Sequence, residues 1–230
     1  MPGCGYPHGS GVSAGPVSKR VSWRKVAVIL GAVAVGAGIG IGIAVAEDSD
    51  GPSAKAAPAD PGTFWAAGAR KAPDFALRDQ SGREISLRSL RGRPVVITFI
   101  DPVCRSHCPL EAKVLNDATT RLPTGSKPTI VAVSVNPWSQ SRAILRQDAE
   151  KWKLVPQWRW ALGDYNSLAQ VWRHYAIGVQ VRTKTLDGVT VHDVGHAEGA
   201  YVVDRDGWQR ALFLWPYRAE DLAAAVRRVS

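Results

Sequence analysis

The run Val95-Val96-Ile97-Thr98-Phe99-Ile100 leads directly into Asp101-Pro102-Val103-Cys104-Arg105-Ser106-His107-Cys108-Pro109, and a helical pattern follows from Leu110 to Leu122. No other stretch restricts the fold as much. A short apolar, β-branched run bounded by turn residues reads as a strand buried on both faces. Such a strand belongs inside a sheet that carries helices on its two sides. Both cysteines then sit where the strand passes into the first turn of a helix. Unpaired N–H groups give that helix end partial positive charge, which stabilises a thiolate and makes it a better nucleophile and metal ligand. At i and i+4 both sulfurs can share one face of the turn. The residues alone leave this dithiol two uses, redox chemistry or holding a metal.

Elsewhere strand and helix patterns alternate. Thr129 to Val135 reads as a second buried strand closed by Asn136-Pro137, and Trp158 to Leu162 as a short third one. Helices are predicted over 139–152 with Ser139 as N-cap, over 166–175 capped near Asp164, and over 218–228. Tyr201 to Val203 and the strand from Gln209 to Trp215 form a hairpin through Asp206-Gly207. Between Pro73 and Gly92 the pattern supports a short strand, a turn and a helical turn. This order gives an α/β fold, one mixed sheet flanked by helices on both sides, with Trp152 and Trp172 in its core.

The N-terminal quarter is different in kind. Residues 1–25, rich in Gly, Pro and Ser, cannot bury a core and read as a disordered cytoplasmic tail. Residues 26–46 are 21 consecutive uncharged residues, enough at about 1.5 Å each to cross a hydrocarbon layer of roughly 30 Å. Basic residues precede this run and Glu47, Asp48 and Asp50 follow it, so the positive-inside rule predicts a single-pass anchor in the cell membrane with the rest extracytoplasmic. Ala44-Val45-Ala46 would suit a cleaved signal peptide, but the apolar run exceeds the roughly 7–15 residues of a signal core, and an uncleaved anchor is expected. Residues 47–62 form a flexible linker and 63–230 the folded domain. The net charge of +9 comes from scattered arginines, and with the extracytoplasmic placement this argues against nucleic-acid binding. Of three cysteines only Cys104 and Cys108 are close in sequence, which excludes a disulfide-stapled scaffold and favours a functional pair.

Several segments resemble the Sco (SenC) family over about residues 70 to 230. They are Pro73-Asp74-Phe75-x-Leu77, the strand ending at Phe99, Cys104-x3-Cys108-Pro109, Ser134-Val135-Asn136-Pro137, and His196-x4-Tyr201-Val202-Val203-Asp204-x2-Gly207. The resemblance implies a thioredoxin-like fold behind a membrane anchor, a bound copper ion, and a part in assembling the copper centre of cytochrome c oxidase. The partner it implies is the copper-centre subunit of that oxidase or another copper or thiol client. It also implies Cys104, Cys108 and His196 as metal ligands. A loop from Asp193 to Gly199, able to bend at Gly195 and Gly199, is expected to bring His196 over the cysteine turn. Two thiolates and an imidazole suit copper, with zinc as the physical competitor. Arg105-Ser106-His107 stands between the cysteines where the family has Pro-Asp-Val or Pro-Asp-Ile, and Asn136 stands where an Asp is expected. These departures leave the ligand set intact. His107 and His192 are nearby spares, His174 belongs to a helix face and His8 to the tail.

The alternative is an extracytoplasmic thiol-disulfide oxidoreductase of the thioredoxin or peroxiredoxin type, with Cys104 and Cys108 as its redox pair. Such enzymes usually carry CxxC and a cis-Pro just before the strand that here starts near Tyr201. This chain has no proline between Pro156 and Pro216, and Glu198 takes roughly that place. A peroxiredoxin would have Thr three residues before its first Cys, where Asp101 stands. A third reading, a chemically silent interaction domain, makes three ligand-type residues a coincidence.

Overall fold

The structure, a computed structural model, describes residues 62–230. The predicted tail, anchor and linker up to residue 61, with Cys4 and His8, lie outside the described residues. Among the described residues no helix is long and apolar enough to cross a membrane.

In chain order the elements are β1 (Thr63–Phe64), β2 (Ala76–Arg78), β3 (Glu84–Ser86), β4 (Val95–Ile100), α1 (His107–Thr120), β5 (Thr129–Ser134) and α2 (Arg142–Lys151). They continue with β6 (Trp158–Ala161), α3 (Tyr165–His174), β7 (Val179–Leu186), β8 (Val189–His196), β9 (Gly199–Val203), β10 (Gln209–Leu214) and α4 (Ala219–Arg227). Six strands build the main sheet in the order β1-β10-β9-β4-β5-β6. Pairing is parallel across β4, β5 and β6 and antiparallel from β4 to β9, β10 and β1. The pairs β2–β3 and β7–β8 are separate hairpins.

Every residue of β4 and β5 is buried because side chains alternate between two covered faces. Val96, Ile100, Ile130 and Ala132 share one core with Leu115 of α1, Leu145 of α2 and Leu222 of α4. Ile97, Phe99, Val131 and Val133 share the other with Leu168 and Trp172 of α3 and with Leu77 and Ile85 of the β2–β3 hairpin. The expected mixed sheet with helices on both sides is what forms. Asn116 of α1 locks the turn after α2: its Nδ2 donates to Trp152 O (3.1 Å) and Lys153 O (3.2 Å), and its Oδ1 accepts from Val155 N (3.2 Å) and Trp158 Nε1 (2.8 Å). Within that turn Lys153 adopts a φ of 51°, a left-handed conformation that this bonding holds in place.

Three local readings are corrected. Helix α2 starts at Arg142, capped by Ser141, whose Oγ accepts from Ile144 N at 3.3 Å; Ser139 instead closes a turn by donating its N–H to Asn136 O at 3.2 Å. Glu84–Ser86 pairs with β2 as a strand. The segment carrying His196 is a strand, not a bending loop. Asp187 and Gly188, with φ of 49° and 79°, make the two-residue turn whose twist matches its flanking strands. His196 ends β8 opposite Val179, and Gly195 is paired with Gln180. Gly199 serves close approach, because a Cβ there would lie 2.8 Å from Phe213 O.

Candidate metal centre

The chain leaves β4 at Ile100 and enters α1 at His107, and Asp101 organises the turn between them. Its carbonyl accepts from Cys104 N (3.0 Å), and its Oδ1 accepts from Val103 N (3.0 Å) and Asn136 Nδ2 (3.1 Å). An ionised Asp at 136 has no hydrogen to donate, so Asn136 supplies a bond that the expected residue could not. Arg105 does a similar job on the other side of the turn. Its Nη1 donates to Pro102 O (3.1 Å) and Cys104 O (2.9 Å) and lies 3.2 Å from Oδ1 of Asp148, a fully buried side chain on α2. The arginine between the cysteines thus pins their loop to a neighbouring helix.

Helix α1 begins without an ordinary cap. Ser106 makes no capping bond and the first turn has no acidic residue. Cys108 N donates instead to Cys104 Sγ at 3.5 Å, and Ser106 Oγ lies 3.6 Å from the same sulfur. A thiolate at Cys104 is therefore the anion at this helix N-terminus. Cys104 is half-buried, Cys108 is buried, and both are free thiols. The Cys108 thiol donating to Cys104, helped by the backbone N–H groups of Cys108 and Ser106, lowers Cys104 to about 4 despite burial. Cys108 is pushed far above the usual thiol range by that same donation, by burial and by the neighbouring negative charge. The pair holds one proton between two sulfurs.

Strand β9 pairs antiparallel with β4, so the residues just before β9 arrive beside the end of β4. This brings His196 and Glu198 to the cysteines. Ligating atoms of Cys108, His196 and Glu198 lie within 4.8 Å of one another. Cys104 is outside that mutual group and adjoins it through Cys108. His196 Nδ1 is 3.1 Å from Ala197 O; with the proton on Nδ1, Nε2 is left as the lone-pair donor. His107 stays exposed at the rim, its Nδ1 3.7 Å from Glu198 Oε1. His192 is directed elsewhere: it stacks on Trp138 at 3.9 Å, and its Nδ1 is 3.1 Å from Thr183 Oγ1.

Four carboxyl groups surround the thiolate. Asp101, Glu111, Asp148 and Glu198 are all raised from their ordinary values, each chiefly by burial and each further by the charge on Cys104. Glu111 is raised to about 8, although its Oε1 accepts from Thr98 Oγ1 (3.0 Å) and Tyr217 OH (2.8 Å). Such crowding of acids around a sulfur anion is relieved by a bound cation. A set offering sulfur, imidazole nitrogen and carboxylate oxygen fits copper or zinc. The structure thus gathers Cys108 and His196 with Glu198, and Cys104 adjoins them through Cys108. The missed signal for Glu198 was its spacing, since residues i and i+2 of an extended chain point to one side.

The SCO1/SenC family model matches residues 66–230. Comparison with curated proteins finds no match. Among solved structures, Bradyrhizobium japonicum ScoI with copper bound is similar at a TM-score of 0.56 and 26% identity, over 70% of this chain and 99% of that one. Yeast Sco1 with copper bound shares the fold at a TM-score of 0.61 and 18% identity, over 69% of this chain and 87% of that one. BsSco, described as a member of the Sco family of cytochrome c oxidase assembly proteins with a disulfide switch, shares it at 0.54 and 20% identity, over 75% and 98%.

Proposed function

The chain belongs to the SCO1/SenC family, and from that premise we propose that it is a membrane-anchored metallochaperone. It holds a copper ion as cargo through Cys104, Cys108 and His196 and delivers it to the copper centre of cytochrome c oxidase or to another copper or thiol client. The carrying observation is the convergence of Cys108, His196 and Glu198 within 4.8 Å beside the Cys104 thiolate. Copper bound in ScoI of Bradyrhizobium japonicum, at 26% identity, supports the choice of metal.

The residues divide the work. Cys104 is already a thiolate and offers the first ligand without losing a proton. Cys108 gives up its shared proton on binding, because a ligating thiol must be deprotonated. Asp101, through Asn136, and Arg105, through Asp148, hold the shape of the loop that carries both sulfurs. Replacing His196 by Ala is expected to weaken copper affinity by about tenfold or more while the thiol titre stays that of the parent. His192→Ala, whose ring lies against Trp138, is expected to bind as the parent does. Retained affinity in His196→Ala, or loss in His192→Ala, would overturn the ligand assignment.

One observation favours a second reading. A lowered Cys104 beside a proton-bearing Cys108 is also an attacking thiolate with a resolving thiol. In that chemistry Cys104 attacks a client disulfide, Cys108 resolves the mixed disulfide, and two electrons with the pair's single proton pass to the client, whose second thiolate takes its proton from water. A protein that binds no copper yet reduces client disulfides would place this reading first.

A further inference from the structure

We propose that the Glu198 carboxylate is itself a ligand of this centre, and that its oxygen biases the site toward divalent copper over monovalent copper. The inference rests on the copper-binding reading above. Its starting point is geometric: a Glu198 oxygen lies within 4.8 Å of both the Cys108 sulfur and a His196 ring nitrogen. The side chain is 13% exposed, so the protein has removed an acid from water at this place. That costs free energy unless a partner compensates.

No described partner does so well. Among the described residues the carboxylate's ion-pair contact within 4.0 Å is His107 Nδ1 at 3.7 Å, too long for a hydrogen bond and at an exposed ring. Glu111, a fully buried acid of the centre, shows the contrast, since hydroxyls of Thr98 and Tyr217 both donate to its Oε1. Glu111 is held by those hydroxyls, whereas a Glu198 oxygen shares the 4.8 Å cluster with the Cys108 sulfur and a His196 ring nitrogen.

The backbone around Glu198 is also braced. Ala197 N donates to Gly178 O at 3.0 Å, and Trp215 N donates to Glu198 O at 3.2 Å. The carboxylate therefore stands on a fixed segment between β8 and β9, as a preorganised ligand does. Sulfur and imidazole alone satisfy a soft monovalent ion. A carboxylate oxygen is a harder donor, and its benefit goes mainly to the divalent state.

The test uses the full-length protein with Glu198→Gln, which keeps the side-chain shape, and Glu198→Ala. Copper(II) and copper(I) are titrated separately with competing chelators, and copper(II) is followed by electron paramagnetic resonance and by sulfur-to-copper charge-transfer absorption. We expect copper(II) affinity to fall about tenfold or more in both variants, with altered hyperfine splitting and unchanged copper(I) affinity. The copper(II)/copper(I) potential is expected to rise. Copper(II) spectra and affinity identical to the parent overturn the inference while leaving the His196 reading intact. Equal losses for the two oxidation states overturn the bias. A parent that binds neither state overturns this inference together with the function it rests on.

Discussion

Cys104 and Glu111 show how single residues set the chemistry of this centre. The thiolate replaces the missing cap of α1, so the same N–H groups that a Ser or Asp would satisfy elsewhere hold a sulfur anion here. Glu111 answers with the opposite shift, keeping its proton up to about 8 where the unfolded chain releases it near 4.5. Between those values the folded state binds more protons than the unfolded state, so this residue makes stability fall as pH rises through that window. Gln mimics the protonated acid. Urea midpoints of the metal-free protein should therefore decline more steeply from about pH 5 to about 8 in the parent than in Glu111→Gln; equal slopes would refute the assignment. Cys104 and Cys108 were legible by their spacing, and His196 by the family resemblance. Glu111 was not, since a Glu one turn into a helix is ordinarily solvated, and only the packing of α4 with Tyr217 over it shows otherwise. Two of the residues that differ from the family pattern, Arg105 and Asn136, help Asp101 brace the loop.

At the level of elements, the sheet was readable and its attachments were less so. β4 and β5 announce themselves by continuous apolar runs, and α3 by Asp164, whose carboxylate accepts from Ser167 N at 2.8 Å. The β7–β8 hairpin carries an Asp-Gly turn between alternating β-branched residues, a sound signal. Its residues are mostly exposed, so no buried stripe marks them as a strand pair. Asn116 could not be read at all: a polar residue in mid-helix is usually a surface position, and its four partners lie on the turn after α2 and on β6. Asn116→Leu would leave the N–H groups of Val155 and Trp158 and the carbonyls of Trp152 and Lys153 without these bonds. A loss of roughly 3 kcal/mol is expected, from about 1–3 kcal/mol for each buried polar group left unpaired. Denaturant titration checks this, and a change under about 0.5 kcal/mol, the scale of ordinary surface substitutions, would show the network to be dispensable.

For the molecule as a whole, the proposed topology puts the domain outside the membrane and residues 1–25 inside, on the strength of the uncharged run and its flanking charges. Protease added to intact cells is expected to strip the domain from the membrane fraction. Protection of the domain until the cells are lysed would place it on the other side and remove the case for an extracytoplasmic copper client. The sheet order matters for a different reason. The two cysteines follow β4, His196 and Glu198 precede β9, and these strands are neighbours in space while about ninety residues apart along the chain.

That separation orders events in time. A polypeptide is made from its N-terminus, so a nascent chain that has just emerged through Cys108 possesses both sulfurs but neither His196 nor Glu198. Bringing β9 back to β4 requires closing a long loop, which is among the slower steps available to a small domain. Until then the thiols stand unshielded, and a metal caught by them is held by sulfur alone. Metal binding by sulfur and imidazole together is therefore a property of the finished sheet, and premature oxidation of Cys104 with Cys108 is the hazard of the interval before it.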